Sequence, residues 1–247
     1  DYARQWQLPV STAVRTVEMS KDGANFLAKL SDGNVALSTS VVIATGGFQQ
    51  PARLAIGSAF DASVVQLDTE SYQNPASAPR GRILVVGDGA SGRDIAVELA
   101  STHEALLAVG KPRRLFPERI FGRNVWWWLK TLGLMRAPAR TLVGRTMQRA
   151  DPFPDRRRNL SALRIEGVRV MPRLVAAEGR DALFADATRV EIDAVVWAVG
   201  YRDDLDWLQI ADAKDSQGMI VQTEGVSPVP GLFFVGRPWQ RNRASAL

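Results

Sequence analysis

Runs of apolar residues alternate with turn-forming residues along the chain, and this pattern predicts a mixed α/β fold. Residues 83–86 are four apolar residues in a row, as expected for a strand buried on both faces of a parallel sheet. Further along, Ile95, Ala96 and Leu99 recur at helical spacing and give that segment one apolar stripe. Between the two, residues 87–92 read Gly-Asp-Gly-Ala-Ser-Gly. The sequence therefore predicts a strand, a glycine turn and a helix in succession.

Two antiparallel meanders are also predicted, and each leads into an apolar strand that ends in glycine. The first is followed by the strand at residues 41–44, which ends at Gly46, and the second by residues 194–199, which end at Gly200. A repeat of this kind predicts two dinucleotide-binding units of similar build. The meander strands are predicted at residues 16–18, 26–30 and 35–37 in the first unit, and at residues 182–184 and 189–192 in the second.

The segments that join the two units are predicted from turn-forming residues. Residues 71–80 are rich in Asn, Ser and Pro and are expected to link the first unit to the second. The chain is expected to return to the first unit between Trp197 and Asp204, and residues 232–235 are predicted as a closing strand that ends at Gly236. The glycine motif of the first unit is expected upstream of Asp1, so that the chain is interpreted as a fragment.

The spacing G-x-G-x-x-G after a strand and before a helix is typical of a dinucleotide-binding turn. Gly87 permits the tight turn, Gly89 lets the backbone approach a pyrophosphate, and Gly92 lets the helix pack closely on the strand. Ala90 and Ser91 begin the helix, whose free N–H groups and positive end attract phosphate. The alternative interpretation is a glycine-rich turn without a ligand.

The residues after the next predicted strand bear on the choice of nucleotide. An NAD site places Asp or Glu about 20 residues past the motif, where it binds the ribose hydroxyls. Here residues 105–110 are followed by Lys111, Arg113 and Arg114. Because cations attract a 2′-phosphate that a carboxylate would repel, the sequence favours NADPH over NADH. The alternative is that some of these cations only face solvent.

Composition removes several classes of chemistry. Cysteine is absent from the 247 residues, which excludes disulfides, thiolate metal sites and Cys nucleophiles within this chain. No apolar run approaches the roughly 20 residues that span a bilayer and no secretion signal is present, so a cytoplasmic location is expected. The net charge of +5 is uneven, because residues 111–173 contain sixteen Lys or Arg against four Asp or Glu. A solvated basic face, an anionic membrane and a phosphorylated cofactor all fit such a segment.

Few other residues suggest a reaction. The only histidine, His103, follows the predicted helix, and no carboxylate is placed to orient it for triad chemistry. No cluster of metal-ligating residues is present either, so neither a catalytic residue nor a metal site is predicted. Zinc-finger, basic-zipper and RNA-binding signatures are missing, and nucleic acid is not an expected partner. Residues 125–134 form a Trp- and Leu-rich cluster that predicts packing over the sheet. A membrane-surface or apolar-substrate channel is the alternative.

Together, several of these stretches resemble the flavin-containing monooxygenases, the class B group of FAD- and NADPH-dependent enzymes that includes Baeyer–Villiger relatives. Residues 42–47 resemble the family's first Ala-Thr-Gly linker, and residues 83–92 resemble its NADPH-binding motif, G-x-G-x-S-G. Residues 194–208 resemble the second linker, with Val199 where Thr is usual, and residues 230–236 resemble a late strand of the FAD domain. The resemblance therefore covers nearly the whole chain.

One stretch departs from the family pattern. The family's fingerprint ends in His-x-x-x-Tyr, whereas this chain has Asp68 in the His position before Tyr72. The Phe-x-Gly start of the fingerprint is not matched by residues 60–62, Phe-Asp-Ala.

The resemblance implies FAD and NADPH as cofactors, with O2 and a small organic molecule as the other partners. One oxygen atom would pass to an N or S nucleophile or to a ketone. A non-oxygenating FAD/NAD(P)H reductase is the alternative enzyme, and a catalytically incomplete NADP-binding module, a redox sensor or a transport auxiliary, is the non-enzymatic one. The oligomeric state is left open, and a membrane-peripheral role is a weaker expectation.

The expected fold is the two-dinucleotide-binding-domain flavoprotein fold, in which a Rossmann-like NADPH domain is inserted into a partial FAD domain with a β-meander. Residues 1–73 are predicted as partial FAD domain, residues 74–196 as NADPH domain and residues 197–247 as the return to the FAD domain. Thr45 and Gly46 are expected to couple the domains. The predicted cofactor-binding residues are Gly87, Gly89, Ala90, Ser91, Gly92, Lys111, Arg113, Arg114, Thr45, Gly46, Gly200 and Gly236.

Overall fold

A computed structural model of the chain describes residues 2–112, 115–150, 153–154 and 157–246. The helices are α1 (Tyr2–Gln5), α2 (Ala90–Ala100), α3 (Val125–Thr131), α4 (Leu142–Ala150) and α5 (Leu160–Ile165). The strands are β1 (Thr16–Asp22), β2 (Asn25–Leu30), β3 (Val35–Ser38), β4 (Val41–Ile43), β5 (Gln50–Pro51), β6 (Val65–Asp68), β7 (Arg82–Val86), β8 (Glu104–Ala108), β9 (Leu115–Phe116), β10 (Arg119–Ile120), β11 (Arg123–Asn124), β12 (Phe153–Pro154), β13 (Arg169–Met171), β14 (Leu174–Glu178), β15 (Asp181–Phe184), β16 (Arg189–Glu191), β17 (Ala194–Trp197), β18 (Tyr201–Arg202) and β19 (Leu232–Phe234).

The chain divides into two compact units. Unit 1 comprises Asp1–Gly46, Asp203–Arg241 and Ser245–Leu247, and unit 2 comprises Gly47–Arg202 and Asn242–Ala244. The predicted boundaries at residues 73/74 and 196/197 differ from these limits. The reason is that β6 pairs in parallel with β17, which draws the residues before and after it into unit 2.

A five-stranded sheet in the order β13-β8-β7-β17-β6 forms the centre of unit 2. All four pairings are parallel, and α2 connects β7 to β8 in a β-α-β crossover. The α/β, Rossmann-like architecture expected from the sequence is thereby confirmed. Because the strands are parallel, the turns that follow β7, β8 and β17 all lie at one edge of the sheet.

The side chains of the buried strand β7 alternate between two layers of unit 2. Ile83 and Val85 pack on the helical side with residues of α2 and α5, and Leu84 and Val86 pack on the side of the β14-β15-β16 meander. All four are at most 5% exposed. This burial on both faces is the reason that residues 83–86 are continuously apolar.

Unit 1 contains the first meander and one parallel strand pair. The meander has the order β1-β2-β3, as the sequence predicts, and β4 pairs in parallel with β19. The core of unit 1 is apolar and consists of Met19, Phe26, Ile43, Leu208, Ile210, Ala213, Val229, Leu232 and Phe234. The predicted closing strand is thus confirmed as the partner of β4.

Three features of unit 2 differ from or add to the predicted organisation. Strands β13 and β14 were not expected from the sequence, because each is short and mixes apolar with charged or small residues. The turn-rich residues 71–80, predicted as an interdomain linker, connect β6 to β7 inside unit 2.

Candidate functional site

The glycine turn lies between β7 and α2, at the edge of the sheet where the strands end. Gly87 has φ +110° and its N–H donates to the carbonyl oxygen of Ala108 at the end of β8, 3.1 Å away. A Cβ at Gly87 would overlap the carbonyl oxygen of Ala198, and a Cβ at Gly92 would overlap that of Gly87. These two glycines are therefore required by close approaches within the protein itself.

Gly89 makes no such close approach within the described part of the chain. Its backbone is extended, with φ −68° and ψ −176°, a conformation that other residues adopt easily. No described atom lies within 4 Å of the position that a Cβ at Gly89 would occupy. Gly89 also begins α2 without a side-chain cap, and Ala90 and Ser91 are exposed. Open space over an uncapped helix N-terminus matches what a pyrophosphate requires, so these residues fit the predicted ligand.

The cationic residues predicted to recognise a 2′-phosphate are only partly described. Strand β8 is buried from Ala105 to Ala108, and Lys111 is exposed three residues after the strand ends. Arg113 and Arg114 lie outside the described residues. The preference for NADPH accordingly stays a prediction from the sequence.

A buried ion pair inside the glycine turn was missed by the sequence analysis. Arg93 is 2% exposed and Asp88 is 4% exposed. The Arg93 Nη2 atom lies 3.2 Å from Asp88 Oδ2, and Arg93 Nε donates to the backbone carbonyl oxygen of Asp88 at 2.8 Å. Arg93 Nη1 also donates to the carbonyl oxygen of Arg158 at 2.5 Å. The position of Arg93 three residues before Ala96, on the buried stripe of α2, was the signal in the sequence.

Unit 1 brings two of the other predicted glycines together. Gly46 follows β4 with φ +70°, and Gly236 follows β19 with φ +78°. A Cβ on Gly46 would lie 3.9 Å from the carbonyl oxygen of Gly236. Thr45, the neighbour of Gly46, is exposed. The predicted residues of unit 1 therefore meet at the ends of a parallel strand pair, where ligands commonly bind α/β folds.

Beside these glycines lies a second ion pair that the sequence analysis missed. Arg237 Nη2 lies 2.6 Å from Asp203 Oδ2, and the two side chains are 15% and 8% exposed. Arg237 Nη1 also donates to the carbonyl oxygen of Gly46 at 3.2 Å. Arg237 thus joins the segment after β19 to the segment after β4. Sequence alone gave no sign of a pairing between residues 34 positions apart.

Gly200 belongs to unit 2, in which it follows β17. It has φ +94°, it is exposed, and its carbonyl oxygen accepts from the N–H of Ala52 at 2.9 Å. The next residues form β18, which pairs antiparallel with β5. The hydroxyl of Tyr201 is 3.0 Å from that of Thr69. The segment that follows Gly200 is therefore held in unit 2 by the antiparallel pair of β18 and β5.

Asp68, the residue that departs from the family fingerprint, holds the turn after β6. Its Oδ1 atom accepts from the backbone N–H of Ser71 at 3.0 Å and from that of Glu70 at 3.2 Å. Its Oδ2 atom pairs with Arg53 Nη2 at 2.6 Å. Burial on its own would raise the pKa of Asp68, but these donors outweigh it and lower the pKa to about 2. Asp68 is a structural carboxylate at this turn.

We expect Asp68→Asn to lower the stability of the protein by about 2 kcal/mol at pH 7. Because the pKa of Asp68 is depressed, its contribution is complete above its usual value of 3.8 and is lost as the pH falls toward 2. The difference between the variant and the parent protein should therefore shrink over this interval in urea denaturation at several pH values. Asp186→Asn, at an exposed turn, should leave the stability nearly unchanged. A constant difference for Asp68→Asn across that interval would contradict the assignment.

Charged residues line a surface depression at the opposite edge of the sheet, where β7 and β8 begin. Arg82 pairs with Glu104 at 2.9 Å and Arg180 with Asp193 at 2.6 Å. His103 also lines this depression, far from the glycine turn along the strands. The depression is thus a network of ion pairs, separate from the candidate site. Within the described residues, no group of three or more His, Asp or Glu side chains is arranged to hold a metal ion.

The Trp-rich segment forms α3. This helix buries Val125 and Leu129, as packing on the protein requires, and Trp128 Nε1 donates to the carbonyl oxygen of Ile120 at 2.9 Å. Trp127 is 40% exposed, with the Arg123 guanidinium 4.7 Å from its ring centroid. Among the helices in the described part of the chain, none is long and apolar enough to cross a membrane.

Solved structures with the same architecture include two kinds of flavoenzyme. A flavin-containing monooxygenase from Stenotrophomonas maltophilia superposes with a TM-score of 0.74 at 22% identity, over 99% of this chain and 70% of that one. A bacillithiol disulfide reductase from Bacillus cereus superposes with a TM-score of 0.62 at 16% identity, over 99% of this chain and 68% of that one. At such identities the likeness concerns the fold. It is the fold of the two-dinucleotide-binding flavoproteins, as the resemblance in the sequence led us to expect.

Sequence relatives define the family more closely. The family model described as pyridine nucleotide-disulphide oxidoreductase matches residues 1–115. An uncharacterized CzcO-like oxidoreductase of Geobacillus kaustophilus is 35% identical over 249 residues, an alignment that covers 100% of this chain and 71% of the relative. The CzcO oxidoreductase of Bacillus subtilis, also uncharacterized, is 33% identical over the same 100% and 71%. The chain belongs to this family of CzcO-like oxidoreductases.

Proposed function

We propose that this chain is part of an FAD- and NADPH-dependent monooxygenase, in which unit 2 binds NADPH. The observation that carries the proposal is the turn from Gly87 to Gly92. Two of its glycines are fixed by protein contacts, and Gly89 opens onto free space above the N-terminus of α2. The fold shared with a flavin-containing monooxygenase supports the same reading.

The residues that would hold the nicotinamide cofactor are those of the turn and of the segment after β8. Gly89, Ala90 and Ser91 would present N–H groups to the pyrophosphate. Lys111, Arg113 and Arg114 would surround the 2′-phosphate. In unit 1, Thr45, Gly46 and Gly236 would border the flavin.

When bound, NADPH supplies hydride and FAD supplies the chemistry by which O2 gives one atom to a substrate and one to water. The task of this chain would be to bind both cofactors, to orient them and to limit access of water. A small thioether, a tertiary amine or a cyclic ketone are the substrate classes that this chemistry accepts.

The proposal is tested by supplying the purified protein with FAD, NADPH and 18O2 together with one substrate of each class. We expect NADPH oxidation, matching oxygen uptake and one 18O atom in the product. Absence of NADPH-dependent flavin reduction would overturn the proposal. Flavin reduction without 18O in any product would instead favour a reductase.

A non-oxygenating reductase is the second candidate. It is favoured by the match to the pyridine nucleotide-disulphide oxidoreductase model and by the fold shared with a bacillithiol disulfide reductase. Because the chain contains no cysteine, such a reductase would pass electrons from flavin to its acceptor without a thiol of this chain. Rapid anaerobic oxidation of NADPH by a quinone or disulfide acceptor, with slow turnover in O2 alone, would identify it.

We expect Arg113→Ala and Arg114→Ala to weaken NADPH binding by about 10- to 100-fold each, because a charge-assisted hydrogen bond contributes roughly 1.5–3 kcal/mol. NADH has no 2′-phosphate, so its affinity should change by less than about threefold. Isothermal titration with both nucleotides measures the difference. Arg119→Ala, in the neighbouring hairpin of β10 and β11, provides the control. Equal losses for NADPH and NADH would refute the assignment.

A further inference from the structure

We propose that Arg93, together with Asp88, is a positioning residue that aims the N–H of Gly89 at the pyrophosphate of the bound dinucleotide. The inference rests on the proposed function, since it concerns how the glycine turn holds its ligand. It assigns a role to an arginine that is 2% exposed.

The hydrogen bond from Arg93 fixes the direction of the peptide group between Asp88 and Gly89. The carbonyl oxygen of Asp88 accepts from Arg93 Nε at 2.8 Å, and therefore points into the protein. In a trans peptide the C=O and the following N–H point in opposite directions, and the described chain contains no cis peptide bond. The N–H of Gly89 consequently points away from Arg93. Around Gly89 the structure is open, since no described atom outside its chain neighbours lies within 4 Å of a Cβ built on this residue.

Hydrogen bonds in several directions hold the guanidinium of Arg93 in one position. Among its partners in the described part of the chain, Arg93 donates to the Asp88 carbonyl oxygen, to Asp88 Oδ2 at 3.2 Å and to the carbonyl oxygen of Arg158 at 2.5 Å. The planar fork of an arginine reaches these acceptors at once. A lysine carries a single nitrogen and pairs with the carboxylate as a point charge. Arginine is therefore needed for orientation, whereas either cation would balance the charge of Asp88.

The hydrogen bond from Arg93 to the backbone carbonyl oxygen of Arg158 connects the glycine turn to the segment before α5. The side chain of Arg158 pairs with Asp94 in α2, with Arg158 Nε 3.1 Å from Asp94 Oδ1. The first turns of α2 and the residues that lead into α5 are thus tied by two links, one of them through Arg93. Such support holds a turn in its binding geometry before the ligand arrives, which lowers the ordering cost of binding.

The test compares Arg93→Lys with Arg82→Lys, a matched control at the other end of β7 whose arginine also pairs with a carboxylate and donates to a backbone carbonyl. Isothermal titration of the whole chain uses three probes: NADPH, ADP-ribose, which keeps the pyrophosphate, and 2′-AMP, which lacks it. For Arg93→Lys we expect the Kd of NADPH and of ADP-ribose to rise about 10-fold or more, with the Kd of 2′-AMP within about threefold of the parent protein. Arg82→Lys should leave all three unchanged.

Two further variants separate orientation from charge. In Asp88→Asn the backbone carbonyl and one side-chain oxygen remain as acceptors, so the loss of NADPH affinity should be smaller than in Arg93→Lys. If Arg93→Lys does not fold, as judged by circular dichroism, the double variant Arg93→Gln/Asp88→Asn removes both buried charges and should show the same selective loss. A loss shared equally by all three probes, or no loss with NADPH, overturns the inference. A parent protein that binds neither NADPH nor ADP-ribose overturns the proposed function, and the inference with it.

Discussion

Gly89→Ala is expected to lower NADPH affinity by about 100-fold or more while unit 2 remains folded. The backbone of Gly89 is extended, with φ −68° and ψ −176°, so that alanine adopts it without strain. The new methyl group meets no described atom within 4 Å and enters the space proposed for the pyrophosphate. Replacement of glycine at this N-cap position should cost less than about 1 kcal/mol of stability. NADPH titration and urea denaturation of the same preparation measure the two effects.

Gly92→Ala is the contrasting variant for this experiment. Its Cβ would overlap the carbonyl oxygen of Gly87, a backbone atom that moves only if α2 shifts away from the turn. We therefore expect unit 2 to lose about 1–3 kcal/mol or more, with nucleotide affinity lost as a consequence. Gly89→Ala with unchanged affinity would remove the ligand from this turn. Gly92→Ala with unchanged stability would contradict the packing described for it.

The parts of the fold that could be predicted from the sequence are those that local pattern encodes. The apolar run of residues 83–86, the glycine spacing after it and the turn residues of both meanders each determine a nearby structure. The pairing of β6 with β17 was not predicted, because the two strands are more than 120 residues apart along the chain. The sequence of residues 65–68 does not by itself indicate with which strand they pair.

In the candidate site, too, local spacing predicted some residues, whereas others depend on contacts that only the folded structure shows. Gly87, Gly89 and Gly92 were predicted from spacing; close backbone approaches account for Gly87 and Gly92, whereas the space beside Gly89 is open. Arg93 was passed over because charged residues are mostly exposed, and only its place on the buried stripe of α2 marked it. Its fork of hydrogen bonds to a backbone carbonyl depends on three-dimensional geometry that a sequence motif does not describe.

Arg237→Met alone is expected to destabilise unit 1 by about 3–5 kcal/mol, because it leaves the carboxylate of Asp203 buried without its cation. The two side chains are 15% and 8% exposed, and the Nη2–Oδ2 distance is 2.6 Å. The variant also removes the donor to the Gly46 carbonyl oxygen and so frees the segment after β4. Hydrogen exchange measured by mass spectrometry should show faster exchange in peptides that contain β4 and β19.

The double variant Arg237→Met/Asp203→Leu distinguishes the ion pair from simple loss of packing. With both charges removed, most of the lost stability should return, since a buried pair and an apolar replacement of similar volume are nearly equivalent in free energy. Arg189→Met, at an exposed pair with Glu178 in unit 2, should shift stability by at most about 1 kcal/mol. Additive losses in the double variant would show that Arg237 and Asp203 act independently. Recovery of stability without recovery of slow exchange in β4 would assign the remaining effect to the hydrogen bond with Gly46, and so to the geometry of the predicted flavin-binding glycines.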